Sequence, residues 1–326
     1  MKINNILVTG CAGFIGFHIC SQLVNKKNYK IFGLDNLNKF YDQNLKSERL
    51  KILRKNKNFI FKKIDISNYE KLNNLFSKYK FKYVINLAAQ AGVRDSIENS
   101  KPYIYSNIIG FYNILEASKR NSVKHVVYAS SSSVYGSSKI YPYRESMMTD
   151  KPQSLYAATK KANEIIAYSY SNIHKLPTTG LRFFTVYGTF GRPDMAPFKF
   201  TQLMIKNKKI DLYNYGNHYR DFTYIDDVVS ATLKLMTKVP KNTVPYEIYN
   251  IGGGKTYSLK YFLRTIENIV GKRAITKLLP MQIGDVHKTN ADIRKLKKTV
   301  NIKNFTPLNK GLKNLINWYK SFYKIK

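Results

Sequence analysis

Cysteine, histidine and acidic side chains are all scarce in this 326-residue sequence. Its two cysteines, Cys11 and Cys20, match no zinc or redox spacing, and two thiols make no disulfide framework. Both read as small packing residues. The histidines (His18, His125, His174, His218 and His287) are scattered with no pair at ligand spacing, so no metal centre is expected. No stretch approaches the roughly 18 apolar residues of a membrane span. The N-terminus has no basic and apolar regions of a signal peptide, so a cytoplasmic protein with no membrane contact is expected. Acidic residues number 20 against 55 Lys and Arg, a formal charge of +35. Such an excess suits a polyanion partner. The lysines, however, are spread along the chain amid Asn, Ile and Tyr, as in Lys26-Lys27-Asn28-Tyr29-Lys30, and no nucleic-acid motif accompanies them. The pattern reads as A/T-rich coding bias, which gives nonspecific sticking at low salt and no specific nucleic-acid function.

What is present is alternation. Apolar, β-branched runs at Asn5–Thr9, Tyr29–Leu34, Asn58–Lys63, Tyr83–Leu87, His125–Ala129 and Thr178–Phe183 predict strands. Helical patterns fall between them near Ile15–Val24, Tyr69–Tyr79, Tyr103–Lys119 and Ser154–Ser171. Strand–helix alternation implies βαβ units, right-handed crossovers and a doubly wound parallel sheet of the Rossmann type. Beyond Tyr187 the rhythm breaks at the Gly- and Pro-rich stretch Gly188 to Pro197. A strand near Ile210–Tyr213, a helix from Asp226 and a strand near Glu247–Ile251 follow. The expected division is 1–185 with 223–252 as the nucleotide-binding domain, and 186–222 with 253–326 as a smaller mixed α/β substrate lobe. A ligand belongs at the carboxyl ends of the strands, in the cleft between lobes.

The first strand runs into Gly10-Cys11-Ala12-Gly13-Phe14-Ile15-Gly16 and then a helix. Glycines at that spacing permit a tight turn and close backbone approach to a pyrophosphate. The helix start at Phe14 and Ile15 supplies free amides and the positive dipole end. Asp35 closes the second strand 19 residues beyond Gly16, where a carboxylate accepts from ribose hydroxyls and repels a 2′-phosphate. That favours NAD over NADP, with Asn36 and Asn38 beside it. Asp65-Ile66, after the third strand, is the natural place for an adenine contact; a solvated turn acid is the alternative. Tyr156 and Lys160 are four apart, on one face of a helix. A nearby ammonium favours the phenolate, which suits Tyr156 to proton transfer. Upstream, Ser130-Ser131-Ser132-Ser133 ends the fifth strand and offers hydroxyls to a substrate.

With these motifs in this order, the chain resembles the extended short-chain dehydrogenase/reductases over nearly its whole length, and within them the UDP-glucuronate 4-epimerases. The resemblance rests on Ala88-Ala89-Gln90-Ala91-Gly92-Val93-Arg94, on Arg182 to Gly188, on Gly191-Arg192-Pro193-Asp194 and on Met281 to Val286. It implies an NAD-dependent isomerase in which Tyr156 is the acid and base, Lys160 its partner on the nicotinamide ribose, and Ser131 the assisting hydroxyl. Leu87, Ala88, Ala89, Gln90, Asn107 and Ser130 would join the cofactor set. Ser132, Ser133 and Thr185 would hold the sugar carboxylate with Arg192 close by. Arg94 would lie beside the pyrophosphate or sugar. Phe198, Lys199, Arg220, Gln282 and Asp285 would hold the UDP. The resemblance also implies a homodimer through the helices near Tyr103–Lys119 and Ser154–Ser171. A 4,6-dehydratase would need an Asp-Glu pair where Ser132-Ser133 stand. A UDP-glucuronate decarboxylase or an N-acetyl-hexosamine or uronate epimerase shares the scaffold, and a basic NAD-sensing or nucleic-acid-binding protein is the non-enzymatic alternative. Departures from the family pattern are Asp95 for an aromatic, Thr189-Phe190 for Pro-Trp, and Ile283 for proline.

Overall fold

The computed structural model describes residues 3–325, which fall into two compact units. The first comprises Met1–Ser137, Met148–Arg182 and Val229–Tyr249. It opens with β1 (Asn4–Thr9), α1 (Phe14–Leu23), β2 (Tyr29–Asp35), α2 (Gln43–Arg54), β3 (Phe59–Lys63), α3 (Tyr69–Tyr79) and β4 (Tyr83–Asn86). Short helices α4 (Asp95–Glu98) and α5 (Lys101–Tyr103) lead through a π-helical turn, Ile104–Ile109, into α6 (Gly110–Arg120). β5 (His125–Ser131), a 3₁₀ turn (Ser132–Tyr135), α7 (Leu155–His174) and β6 (Thr178–Phe183) follow. β7 (Thr185–Tyr187), α8 (Ala196–Ile205), β8 (Ile210–Leu212) and β9 (Tyr219–Tyr224), which fall in the second unit, come next in the chain, then α9 (Ile225–Thr237) and β10 (Tyr246–Ile251).

The main sheet has the order β10-β6-β5-β4-β1-β2-β3. β1 pairs in parallel with both β2 and β4, so the winding reverses at β1 and leaves a crevice at its carboxyl end. This is the doubly wound sheet that the alternation predicts. Ile6, Leu7 and Val8 in β1, Val84 and Ile85 in β4, and Val126 and Val127 in β5 are fully buried. Helices cover both faces, so these runs carry no polar alternation. α3 shows how one helix forms: Asn68 caps it by accepting from the Lys71 amide at 3.0 Å, and Leu72, Leu75 and Phe76 make its inner stripe. Burying each such side chain contributes roughly 1.5–3 kcal/mol. Cys11 and Cys20 are fully buried, as packing residues.

Two features differ from expectation. The helix expected over Tyr103–Lys119 is interrupted by the π turn, whose extra residue per turn lets Asn107 reach its neighbours on both sides. A helix that the reading omits, α2, carries buried Lys46 and Arg49.

The second unit comprises Ser138–Met147, Phe183–Val228 and Asn250–Lys326. It adds β11 (Thr256–Ser258), α10 (Leu259–Val270), β12 (Thr276–Leu278), α11 (Arg294–Val300) and α12 (Leu308–Phe322). β9 pairs in parallel with β7 and antiparallel with β11, while β8 pairs with β12. The segment 138–147 belongs here because the Tyr143 amide donates to the Asn290 carbonyl at 2.8 Å and Asn250 Nδ2 donates to the Tyr143 carbonyl at 2.8 Å. Phe222 of β9 stacks on Phe262 of α10 with centroids 4.3 Å apart. Phe190 packs on Trp318 at 4.8 Å and Phe322 at 5.6 Å, so that departure sits in an aromatic cluster.

Candidate active site

The glycine-rich loop shows why its sequence is restricted. Gly10 has φ +68°, and a Cβ there would lie 2.9 Å from the Ala88 amide nitrogen at the end of β4. At Gly16 a Cβ would meet the Gly10 carbonyl oxygen at 2.1 Å. Helices α2, α3, α7 and α10 carry side-chain caps, whereas α1 starts at Gly13 with none. The first-turn amides, those of Phe14 and Ile15 among them, are thus left to a bound group, and an anion suits them.

Asp35 stands at the end of β2 as expected. Its Oδ2 accepts from the Ala12 amide at 3.1 Å and its Oδ1 from the Leu37 amide at 2.8 Å. Arg49, fully buried, donates to the Ala12 carbonyl and to the Tyr41 hydroxyl, both at 2.8 Å. Ala12 is therefore held from both sides, and the Arg49 side of this grip is absent from the sequence reading. Asn36 Nδ2 donates to Asp65 Oδ2 at 2.7 Å, and Ser67 donates to Asp65 Oδ1. Partial burial raises the Asp65 pKa, but these hydrogen bonds bring it below the usual carboxylate value. The Asp65 carboxylate is thus held by Asn36 and Ser67 in the turn that follows β3. The Ile66 side chain belongs to the core, and its carbonyl accepts from Asn113 at 3.0 Å.

Lys46 donates to the Asn38 carbonyl at 2.8 Å and to Asn38 Oδ1 at 2.7 Å, and Asn38 Nδ2 donates to Gln90 Oε1 at 3.3 Å. Leu87 and Ala88 donate their amides to Thr9 Oγ1, each at 3.1 Å, which places Ala89 and Gln90 next in line over the carboxyl end of β4. Asn107 Oδ1 accepts from the Gln90 amide at 2.8 Å, and its Nδ2 donates to the Gln90 carbonyl and to Thr159 Oγ1, each at 3.0 Å. Asn163 Nδ2 donates to the Asn107 carbonyl at 2.6 Å. Asn107 thus ties the β4 end to α7.

Tyr156 lies in the first turn of α7, whose N-cap Ser154 accepts from the Ala157 amide at 3.2 Å. The Tyr156 amide donates to Ser96 Oγ at 3.2 Å, and its ring meets Tyr103 edge-on at 6.2 Å. Lys160 donates to the Ala129 carbonyl at 2.8 Å, and burial pushes its pKa down from 10.5 to about 8. Ser131 caps the 3₁₀ turn, accepting from the Ser133 amide at 3.1 Å and donating to Ser133 Oγ at 3.1 Å. Ser130 donates to Glu164 Oε1 at 2.6 Å. Ser132 and Ser133 remain half-buried. Asp95, adjoining exposed Arg94, accepts from the Tyr103 hydroxyl at 2.9 Å and from Gln90 Nε2 at 3.3 Å. The departure at 95 therefore keeps company with Tyr103 and Gln90.

In the second unit, Arg192 makes a two-pronged pair with Asp194, at 3.1 and 2.6 Å. Arg220 Nη2 donates to Asp285 Oδ1 at 2.8 Å, and its Nη1 donates to the Tyr219 and His287 carbonyls, each at 3.0 Å. Burial and adjacent Arg220 push the His218 pKa down against the opposing pull of Asp285, and Arg220 Nη2 donates to His218 Nδ1 at 3.3 Å. Thr185 opens β7 half-buried, Lys199 is exposed, and Gln282 is half-buried with its Oε1 shielded from solvent. Phe198 is 2% exposed, its ring packed against Trp318, Tyr319 and Tyr323.

A winding reversal with a glycine loop at its crevice, and a Tyr/Lys helix beside it, defines a dinucleotide-dependent enzyme of the short-chain dehydrogenase/reductase type. The chain belongs to the NAD dependent epimerase/dehydratase family, whose model matches residues 6–252. It is 45% identical to Protein CapI of Staphylococcus aureus over 98% of this chain and 99% of that protein. It is 42% identical to a UDP-glucuronate 4-epimerase of Thermodesulfobacterium geofontis, over 96% of this chain and 95% of that one. Its fold is similar to the crystal structure of a Bacillus cereus UDP-glucuronic acid 4-epimerase in complex with UDP-glucuronic acid and NAD. That TM-score is 0.92 at 34% identity, covering 98% of this chain and 100% of the other. No described helix is long and apolar enough to cross a membrane.

Proposed function

We propose that the chain interconverts UDP-glucuronate and UDP-galacturonate by oxidation and re-reduction at C4 of the sugar, with NAD as cofactor. The observation that carries this reading is the gathering of Asp35, the glycine loop, Gln90, Ser131 and Lys160 at the carboxyl ends of β1, β2, β4 and β5. The uncapped start of α1 and the closed positions at Gly10 and Gly16 fit a pyrophosphate, and the Asp35 carboxylate fits an unphosphorylated ribose. NAD, held by the glycine loop and Asp35, would supply the hydride chemistry at C4 of the sugar. Tyr156 takes the C4 hydroxyl proton during oxidation and gives it back during reduction. Lys160, anchored on Ala129, supplies the positive charge that favours the Tyr156 phenolate. Ser131 hydrogen-bonds the same oxygen.

The 4-keto uronate is a β-keto acid and is prone to lose carbon dioxide. Ser132, Ser133 and Thr185, with Arg192, are assigned to hold the carboxylate out of the alignment that permits that loss. Arg94, Phe198, Lys199, Arg220, Gln282 and Asp285 are assigned to the UDP. A cytoplasmic homodimer serving surface polysaccharide synthesis completes the proposal. Exposed Tyr105, Ile109 and Tyr112 around α6, and Ile165, Tyr168 and Ile173 on α7, support the dimer face.

The test is incubation of purified protein with UDP-glucuronate and no added NAD, followed by proton NMR of the sugar. UDP-galacturonate is the expected product, made with retained cofactor. UDP-pentose with carbon dioxide would make the protein a decarboxylase, and no conversion even with NAD supplied would move the substrate to another sugar nucleotide.

A further inference from the structure

Glu164 and Arg182 have no part in the roles given above, yet they are 2% and 3% exposed and bonded to each other twice. Arg182 Nε donates to Glu164 Oε1 and Nη2 to Oε2, both at 2.8 Å, a planar two-pronged pair. Each partner also holds one end of the serine loop. Glu164 Oε1 accepts from Ser130 at 2.6 Å, while Arg182 Nη1 donates to the Tyr135 hydroxyl at 3.0 Å and its guanidinium lies 4.8 Å from the Tyr135 ring centre. Ser131, Ser132 and Ser133 lie between those two anchors.

The helix explains the registry. Tyr156, Lys160 and Glu164 are spaced four apart on α7 and form one stripe. Lys160 grips the Ala129 carbonyl and Glu164 the Ser130 hydroxyl, so the helix that carries Tyr156 fixes the end of β5 at successive residues. A buried ion pair is a costly way to gain stability, because two desolvated charges regain little more than they lose. Orientation is what such a pair provides well.

We propose that Glu164 and Arg182 are positioning residues that fix both ends of the serine loop. They thereby set the ratio of sugar epimerised to carbon dioxide lost. The proposal rests on the epimerase reading. In the side reaction the C5–C6 bond of the 4-keto uronate breaks, its electron pair passes to C5 as the C4 enolate, carbon dioxide leaves and water protonates C5. A displaced loop would let the carboxylate turn into that alignment.

The gentlest cut is Tyr135→Phe, which keeps the ring and the ion pair and removes one hydroxyl. Carbon dioxide released per UDP-galacturonate formed should rise about fivefold, the scale set by one net hydrogen bond, with KM for UDP-glucuronate and retained NAD unchanged. Amide exchange of residues 131–134 should quicken in the same variant. Glu164→Gln with Arg182→Met removes both charges and should raise the ratio further; if that pair fails to fold, Tyr135→Phe decides alone. A folded Tyr135→Phe with wild-type product ratio and wild-type exchange would overturn the proposal. Failure of the reading beneath it would be visible earlier, as a wild-type protein that forms no UDP-galacturonate, while the exchange measurement would still report on the loop.

Discussion

The two units hold their functional side chains in opposite ways. In the first, polar groups around the crevice are locked by backbone: Asp35 on Ala12, Lys160 on Ala129, Asn107 on Gln90. In the second, charged groups pair with each other, Arg192 with Asp194 and Arg220 with Asp285, and Arg220 adds backbone bonds, to the Tyr219 and His287 carbonyls at 3.0 Å. A lock on backbone stays put when a ligand arrives. A pair of partly exposed side chains exchanges one partner for another at small cost. Under the proposed function, the difference would suit a cofactor kept through every turnover and a substrate released after each one.

Mutation can break that comparison at its strongest point first. Tyr156→Phe should lower kcat by about 10³-fold, within the range of general acid–base effects, while retained NAD stays measurable by absorbance after denaturation. Asp221→Asn tests the exception in the second unit, a buried carboxylate that accepts from the amides of Gly253, Gly254 and Ala291. Burial pushes its pKa up to about 6 against the pull of those amides. An amide side chain cannot accept from all three, so urea unfolding should show a loss of roughly 2–3 kcal/mol.

The pH profile sharpens the account of Lys160. It is charged in the folded protein below about pH 8 and neutral above, whereas the unfolded chain holds that proton up to 10.5. Between those values the unfolded state binds more protons, so this group's contribution to stability rises with pH. Activity that needs the ammonium should instead fall about tenfold per pH unit above the folded value. Loss of turnover on that limb with no loss of melting temperature is the expected pairing. Arg220→Ala should raise KM for the UDP-sugar about tenfold with kcat nearly unchanged, as for uniform binding. The smallest effect belongs to Asp194→Ala, where breaking an exposed pair should change stability by less than about 0.5 kcal/mol in the same urea assay.

Much of the crevice was legible in the sequence because its parts are local. Gly10, Gly13 and Gly16 answer to one turn, Tyr156 and Lys160 to one helical face, and Asp35 to the end of one strand. What stayed illegible depends on pairs far apart in sequence. Arg49 reaches Ala12 across 37 residues, and Lys46 and Arg49 look like surface cations in a strongly basic chain until α2 buries them. Glu164 and Arg182 come from a helix and a strand, and neither stands out from its own periodicity. The π turn at Ile104–Ile109 is likewise a tertiary product, since the sequence there reads as an unbroken helix. In the second unit Asp285 was found as a residue, but its pairing with Arg220 across 65 positions left no local trace.

The burial of the two cysteines has a practical consequence. Cys11 lies within the glycine loop and Cys20 in the second turn of α1, and both thiols are shut away, with burial pushing their pKa values up. A thiol reagent therefore finds no target on the closed protein. Alkylation followed by mass spectrometry would count the openings of this one segment, and a bound dinucleotide should slow that clock without any isotope or engineered label.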